Sequence, residues 1–244
     1  NVLDICFGLG YNTGCLLQRI NPSNLNLNWW GLEIDSMPLK MALNHKEFRS
    51  IWNNETLLIL EELRVSRCWE RRNSRGFILW GDARKRLSDL PVNLKFDLIF
   101  LDPFSPKNCP QLWTEEFLMK VSNKLVEDGR ILTYSRAAAI RSTFKKAGLE
   151  LFSLSSEEKD KAAWSNGTIA FKKDKSGANE NFSTKSWRAL STMEEEHLLT
   201  RAAIPYRDPC GESSRQQILL RRKKEQNLCE MEATTSWKKR WKIV

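Results

Sequence analysis

Three acidic residues and a glycine turn each follow a short apolar run in the first half of the sequence. The turn is Gly8-Leu9-Gly10, where glycines let the backbone approach a ligand and a following helix offers free N–H groups. Glu33, about 20 residues further on, is positioned to accept hydrogen bonds from ribose hydroxyls, with Asp35 as second choice. Asp82 can accept from an adenine amino group while the N–H of Ala83 donates to a ring nitrogen. The three features together predict a nucleoside-containing cofactor.

Asp102 closes the apolar run Phe96–Leu101. Its carboxylate can hold an amine nucleophile by a charge-assisted hydrogen bond. Two prolines flank Phe104 and make the next loop stiff. The alternative interpretations are structural, with Asp35 and Asp82 as helix N-caps and Asp102 as a strand cap before a rigid turn.

Short apolar runs alternate with amphipathic stretches as far as about residue 173. The runs predict strands over 2–7, 28–33, 77–80, 96–101, 130–134, 149–154 and 168–171. The stretches between them predict helices over 11–19, from 38, over 114–125 and 138–147, with a helical insertion at 51–75. Nearly all-apolar strands separated by helices indicate an α/β fold, with a doubly wound, mostly parallel sheet covered on both faces. Such sheets bind ligands at the carboxyl ends of their strands.

Composition divides the chain into three parts. Residues 1–173 form the predicted domain, the polar stretch 174–186 reads as a linker, and residues 187–244 form a basic extension that starts as a helix over 187–202. Because the chain opens on Asn1 next to an apolar run, we expect that its N-terminus is truncated.

The chain carries 39 Lys and Arg against 30 Asp and Glu, a net charge of +9. This excess of positive charge is typical of a protein that binds a polyanion such as nucleic acid. It is equally compatible with a basic protein that has no such partner. The six cysteines form no C-x-x-C pair, so we expect no metal site. The sequence shows no signal peptide, so we expect a reducing, cytoplasmic compartment where the cysteines stay thiols. No apolar run reaches the roughly 18–20 residues that span a bilayer, so we expect no membrane partner.

The segment from Asp4 to Gly10 resembles motif I of class I S-adenosylmethionine-dependent methyltransferases, D/E-x-G-x-G-x-G. Cys6 stands where that motif has its first glycine. A glycine turn, a ribose acid and an adenine acid in this order are the arrangement of that class. A nicotinamide dinucleotide site has glycine at the third position past Gly10, where this sequence has Thr13. This difference argues against a nicotinamide cofactor.

A longer string, from Asp102 to Trp113, resembles the D-x-F-A/S-P-x-x-N-P-x-x-W signature of the MnmC-type tRNA methyltransferases. One extra residue, Cys109, intervenes between Asn108 and Pro110. The segment 7–12 resembles the family's F-G-x-G-x-N. Residues 133–135 and the helix that follows resemble the family's fifth strand and the helix after it. The resemblance covers about residues 2–154.

The resemblance implies a class I methyltransferase sheet with an antiparallel last strand. It also implies methylation of the aminomethyl group of the modified wobble uridine of tRNA, giving 5-methylaminomethyl-(2-thio)uridine. The implied partner is the anticodon region of tRNA, and the implied cofactor is S-adenosyl-L-methionine. The residues expected to bind the cofactor are Phe7, Gly8, Gly10, Asn12, Glu33, Asp82 and Ala83. Asp102 is the expected catalytic residue, and the expected substrate contacts are Tyr11, Phe104, Lys107 and Trp113.

Two other functions compete with this one. The first is a methyltransferase or aminopropyltransferase that acts on a small amine, because those enzymes share the fold and an acid after strand four. The second is a non-catalytic RNA-binding or scaffolding protein with a decayed cofactor site, which Cys6 in place of glycine favours. The three aromatic residues proposed as substrate contacts have an alternative role as core.

Overall fold

The computed structural model describes residues 1–20, 25–154, 166–173 and 187–243. They belong to two compact units, Asn1–Asp102 and Pro103–Val244. The predicted linker at 174–186 lies outside the described residues, and the predicted domain boundaries stay a prediction. No helix among the described residues is long and apolar enough to cross a membrane.

The first unit contains five strands in the order β3-β4-β2-β1-β5. They are β1 (Val2–Ile5), β2 (Leu27–Glu33), β3 (Cys68–Glu70), β4 (Ser74–Trp80) and β5 (Phe96–Leu101). Strand β1 is parallel to β2 and β5, and β2 is parallel to β4, so four neighbouring strands end at one edge. Only β3 is antiparallel. The predicted α/β class and the mostly parallel strands are confirmed.

Helices connect these strands. They are α1 (Tyr11–Ile20), α2 (Met37–Asn44), α3 (Lys46–Ile51), α4 (Asn54–Ser66) and α5 (Ala83–Arg86). All four residues of β1 are buried, as expected for a strand with neighbours on both sides and helices over its faces. The core beside β1 contains the buried rings of Phe7, Trp29 and Trp69, with Trp29 5.2 Å from Trp69 between ring centroids.

The predicted helical insertion over 51–75 is right as far as Ser66 and wrong beyond it. Arg67 adopts a left-handed conformation (φ 64°) that ends α4, and the chain then enters β3. The ring of Trp69 lies over Gly76 of β4, where a Cβ would come within 2.0 Å of it. Packing across the hairpin therefore decides the local structure, which helical propensity did not reveal.

The described residues of the second unit form four strands in the order β6-β8-β7-β9. They are β6 (Leu125–Thr133), β7 (Glu150–Leu154), β8 (Gly167–Phe171) and β9 (Trp187–Ala189). Strand β8 is antiparallel to β6 and β7, which confirms the expected antiparallel final strand. Its helices are α6 (Glu115–Ser122), α7 (Ala138–Lys146), α8 (Thr192–His197), α9 (Arg215–Leu228) and α10 (Thr234–Arg240).

Two predictions in this unit are wrong. Leu125 begins β6 instead of ending a helix, and that strand starts before the predicted strand 130–134 and includes Asp128, which has a φ of 63°. The expected helix over 187–202 is strand β9, paired with β7, followed by the short α8. In both cases pairing with a distant strand overrides the local pattern.

A buried ion pair joins α7 to α8. The Arg141 Nη1 atom lies 3.0 Å from Glu194 Oε1, and the two side chains are 1% and 0% exposed. Ser153 of β7 donates to Glu194 Oε1 at 2.7 Å, and Arg141 Nε donates to Thr168 of β8 at 2.9 Å. The pair therefore links two helices and two strands of the second unit.

These contacts decide the protonation of Glu194. Burial alone would raise the pKa of Glu194. Hydrogen bonds from the Ser191 amide, Ser153 and Arg188, with the charge of Arg141, lower it to about 2. Because the folded pKa lies below the ordinary value of 4.5, this carboxylate stabilises the fold above pH 4.5, and that contribution disappears as the pH falls through about 2.

We predict that Glu194→Gln lowers the free energy of unfolding by about 3 kcal/mol at pH 7, because it leaves the Arg141 charge buried and unpaired. The difference from the wild type should narrow below pH 4.5. Urea titration across pH measures both effects. Glu195→Gln is the matched control, since its partner Lys145 is half exposed, and it should change stability by less than about 0.5 kcal/mol. Equal losses for the two variants would contradict the assigned role of the buried pair.

Candidate active site

The four parallel strands of the first unit bring the predicted acids to one edge. Glu33 ends β2, Asp82 follows β4, and Asp102 follows β5. Backbone hydrogen bonds join the neighbouring strand ends, with the Gly81 amide donating to the Glu33 carbonyl at 2.7 Å and the Asp102 amide donating to the Ile5 carbonyl at 3.1 Å. The edge predicted from the sequence is therefore present in the first unit.

The turn after β1 has three residues with positive φ, namely Cys6 (66°), Gly8 (57°) and Gly10 (89°). Cys6 thus adopts the left-handed conformation of the glycine it replaces, at a cost of about 1–2 kcal/mol. A Cβ on Gly10 would lie 2.8 Å from Phe7 Cζ, so packing requires glycine there. A Cβ on Gly8 would meet only the Cys6 carbonyl oxygen, at 3.7 Å. Gly8 is therefore the glycine whose side is open to a ligand.

Glu33 is fixed by three backbone amides. Its Oε2 accepts from Gly8 at 2.9 Å, and its Oε1 accepts from Ile34 at 2.6 Å and from Asp35 at 3.1 Å. The residue is only 8% exposed. A carboxylate has about four acceptor sites, so one remains for a hydroxyl donor. Asp35 instead accepts from the Met37 amide at the start of α2, as its alternative interpretation expected.

Asp82 caps a helix. Its carboxylate accepts from the Arg84 amide at 2.9 Å and pairs with the Arg84 guanidinium at 2.7 Å. Burial raises the pKa of Asp82, but the hydrogen bonds from Arg84 outweigh it and lower the pKa below its ordinary value. The structure thus shows the capping alternative. Ala83 is the first residue of α5, where amides lie outside the helical hydrogen bonds.

Asp102 is exposed, and Asn12 of α1 holds one of its oxygens. Asn12 Nδ2 donates to Asp102 Oδ2 at 3.2 Å, and the side chain makes no other hydrogen bond among the described residues. The structure therefore joins the expected catalytic residue to an expected cofactor residue. This orientation leaves Oδ1 available to a further donor.

Asp4 belongs to this group, although sequence reasoning gave it no role. It is fully buried, and Thr13 Oγ1 donates to its Oδ2 at 2.7 Å, while Oδ1 has no hydrogen-bond partner among the described residues. Burial, followed by the charges of Asp102 and Glu33, raises its pKa to about 7 despite the Thr13 hydrogen bond. Its position as the acid of the glycine motif was the available signal.

Phe7 and Tyr11, two further expected site residues, differ in exposure. The ring of Phe7 is buried, 5.6 Å from Trp29 between centroids, so only its backbone can contact a ligand. Tyr11 is 44% exposed, with its ring edge-to-face on Phe48.

The loop after Asp102 belongs to the second unit and displays one aromatic ring. Phe104 is 81% exposed, and its carbonyl accepts from Trp113 Nε1 at 2.7 Å. The neighbouring Pro103 carbonyl accepts from Tyr134 Oη at 2.8 Å. Trp113 is 1% exposed, so it anchors this loop and offers no face to a substrate, in contrast to the expected contact. Sequence reasoning gave no role to Tyr134.

Lys107 is the remaining expected substrate contact. Its side chain is exposed, and its carbonyl accepts from Arg215 Nε at 2.9 Å. Among the described residues, no group of three or more His, Cys, Asp or Glu side chains is arranged to hold a metal ion.

Asp4 gives a pH-dependent prediction. Because its folded pKa exceeds the ordinary value of 3.8, the folded state retains this proton, and the free energy of unfolding should fall as the pH rises from 3.8 to about 7. Asp4→Asn removes this dependence. We therefore expect the variant to gain stability relative to the wild type across that range, as measured by urea titration. Asp89→Asn, at an exposed acid, is the control. Parallel pH profiles for the wild type and Asp4→Asn would show that Asp4 has no raised pKa.

Comparison with known proteins finds similarity to methyltransferases. A family model described as S-adenosyl-L-methionine-dependent methyltransferase matches residues 47–165. The crystal structure of MnmC2 from Aquifex aeolicus is similar with a TM-score of 0.72 and 26% sequence identity, over 93% of this chain and 68% of that one.

The curated relatives include an uncharacterized protein and MnmC proteins. An uncharacterized protein of Methanocaldococcus jannaschii is 27% identical over 219 residues, which are 89% of this chain and 57% of the relative. The tRNA 5-methylaminomethyl-2-thiouridine biosynthesis bifunctional protein MnmC of Campylobacter hominis is 24% identical over 152 residues. That match covers 60% of this chain and 22% of the relative, so this chain spans only part of the proteins it resembles.

The matches confirm, at the level of the family, the Rossmann-like fold, the methyltransferase class and its S-adenosyl-L-methionine cofactor. Over residues 47–165 the chain matches the S-adenosyl-L-methionine-dependent methyltransferase model, and it is similar to the methyltransferase MnmC2 and to MnmC proteins.

Proposed function

We propose that this chain methylates the aminomethyl nitrogen of the modified wobble uridine of tRNA, giving 5-methylaminomethyl-(2-thio)uridine. The observation that carries the proposal is the position of Asp102. This residue follows the last residue of β5, Asn12 orients its carboxylate, and one carboxylate oxygen remains available to an amine. The names of the matched MnmC proteins, which refer to 5-methylaminomethyl-2-thiouridine biosynthesis in tRNA, support this choice of amine.

The cofactor fits the residues present. When bound, S-adenosyl-L-methionine supplies a methyl group on a positively charged sulfonium. Near the glycine turn the first unit offers the carboxyl groups of Asp4 and Glu33, and burial, followed by the charges of Asp102 and Glu33, raises the pKa of Asp4 to about 7. The unpartnered Oδ1 of Asp4 and the open side of Gly8 complete a site suited to a cationic ligand.

The other cofactor contacts follow from the same edge. Glu33 has one acceptor site left for a ribose hydroxyl, and the N–H groups at the start of α1 can receive a carboxylate. Asp82 would bind an adenine amino group only by sharing its carboxylate with Arg84, so we assign the adenine contact first to the Ala83 amide.

Methylation of an amine requires little acid–base chemistry from the protein. A neutral amine is already a good nucleophile, so holding it in line is the main contribution. We assign this task to Asp102, whose oxygen accepts a hydrogen bond from the amine nitrogen. The new N–C bond would replace the S–C bond of the sulfonium, which would leave as a neutral thioether, and the nitrogen would pass its extra proton to water beside the exposed carboxylate.

The Phe104 ring offers a stacking surface for a base. Such stacking contributes about 1–3 kcal/mol and tolerates any base. Trp113 and Tyr134 hold the carbonyls of Phe104 and Pro103 and so act as positioning residues.

The proposed reaction has a direct test. The chain is incubated with methyl-labelled S-adenosyl-L-methionine and tRNA that carries the aminomethyl group without its terminal methyl, and the digested nucleosides are analysed. We expect label in 5-methylaminomethyl-(2-thio)uridine. Label in no nucleoside would defeat the proposed reaction. Label in an added diamine instead of tRNA would favour the small-amine alternative.

Asp102→Ala should separate binding from chemistry. We expect cofactor affinity within a few-fold of the wild type by calorimetry, because Asp102 is exposed and outside the glycine turn. Turnover should fall by about 100-fold or more, since the amine loses its orientation. Asp97→Ala, at an exposed acid of the same strand, is the control. Undiminished turnover would remove Asp102 from the mechanism, and absence of binding heat in the wild type would favour a decayed site.

A further inference from the structure

The net positive charge is concentrated in the second unit. It contains 26 of the 39 Lys and Arg but 18 of the 30 Asp and Glu, whereas the first unit has 13 and 12. The first unit, which holds the glycine turn and the acids, is therefore nearly neutral. A polyanion would be attracted mainly to the second unit.

Helix α9 has the largest excess of basic residues among the second unit's helices. It has five basic residues and one acid, Glu225. A capping box formed by Ser214 and Gln217 fixes its first turn. Ile218 is fully buried, so one face of the helix is packed against the unit.

The arginines of α9 hold the helix in place. Arg222 donates to the carbonyls of Ile204 at 2.8 Å and Ala202 at 2.9 Å, and its guanidinium lies 4.3 Å from the centre of the Tyr206 ring. Arg221 donates to the Arg207 carbonyl. The side chains of Arg221 and Arg222 therefore stabilise the packing of α9 within the second unit.

The lysines of α9 have no such role. Lys223 and Lys224 are exposed, and neither makes a hydrogen bond or an ion pair within the described residues. By contrast, α10 carries Lys238 and Lys239 beside Arg240, which is paired with Glu196 and Glu232. Acids thus neutralise part of the charge of α10, while the lysines of α9 keep theirs.

Helix α9 begins at the loop that displays Phe104. Arg215, its first residue, donates from Nε to the Lys107 carbonyl at 2.9 Å, and the short 3-10 helix Pro110–Trp113 packs against α9. Lys223 and Lys224 lie eight and nine residues beyond Arg215, roughly 12–14 Å along the helix axis. The exposed cations therefore extend away from the proposed base-stacking ring.

We propose that Lys107 and the exposed lysines of α9 bind the sugar–phosphate backbone of the tRNA, beside the nucleotide that Phe104 receives. This inference rests on the proposed function for the identity of the RNA. Lysine suits the task, because a mobile ammonium group contacts phosphates of varied geometry without reading sequence. The exposed apolar residues of the same helix, Leu220 (60% exposed) and Leu228 (84% exposed), lie two turns apart and form too small an apolar face to favour a lipid surface.

Binding of an unmodified tRNA transcript tests the surface without requiring methylation. Fluorescence anisotropy at roughly 50–300 mM salt gives the slope of log affinity against log salt. For the double variant Lys223→Ala/Lys224→Ala we expect a slope shallower by about 1.5 and an affinity about tenfold weaker at the lowest salt. The variant with arginine at both positions should restore the slope. Cofactor calorimetry reports whether each variant is folded.

Lys238→Ala/Lys239→Ala is the matched control, because it removes the same charge from an exposed helix of the same unit. It should change the slope by less than half as much. Equal changes for both double variants would show an effect of net charge and overturn the proposal, as would no change for either. Loss of binding to phosphatidylserine vesicles with unchanged tRNA binding would assign the lysines to a membrane surface instead.

The two proposals can fail separately. Transcripts lack the aminomethyl group, so a preserved salt slope with no labelled nucleoside contradicts only the proposed reaction. Labelled nucleoside with an unchanged slope in Lys223→Ala/Lys224→Ala contradicts only the assigned surface.

Discussion

The burial of Asp4 beside two other acids, Glu33 and Asp102, is the constraint around which the first unit is organised. Asp4, Glu33 and Asp102 meet near one turn, and each has its own donor. Three amides hold Glu33, the Thr13 hydroxyl holds Asp4, and the Asn12 amide holds Asp102. These donors fix the orientation of the acids, and burial with the charges of Asp102 and Glu33 lets Asp4 keep its proton up to a pH of about 7. A cationic ligand at the strand edge would favour release of that proton.

The sequence predicted the strand edge well, because apolar runs and the turn residues after them are local signals. Phe96–Leu101 was predicted to the residue, and Glu33 and Asp102 lie where their strands end. The failures arise from strand pairing. Residues 68–70 pair with β4 across a hairpin and residues 187–189 pair with the distant β7, and neither pairing is visible in the residue pattern, so both were assigned to helix.

Within the site, residue types were predictable and their partners were not. The burial of Asp4 depends on β1 lying between β2 and β5, which no local pattern encodes. Likewise, the ion pair between Arg84 and Asp82 depends on the side-chain rotamer of Arg84. Trp113 could have been a stacking surface or an anchor, and only its contact with the Phe104 carbonyl decides between them.

The two units differ in the chemistry they offer. The first has the glycine turn and an almost balanced charge, and the second has the exposed ring and most of the excess cations. A small cofactor needs close backbone approach, whereas a large polyanion needs dispersed positive charge. The distribution of residues along the chain matches this difference.

The anchored loop has a consequence for selectivity. Because the main chain on both sides of Phe104 is already fixed, a base that covers the ring releases hydration water without losing loop entropy. That gain is common to every purine and pyrimidine, since it depends only on a flat apolar face. Under the proposed function the ring would recognise planarity alone, and discrimination between nucleosides would have to come from contacts other than stacking.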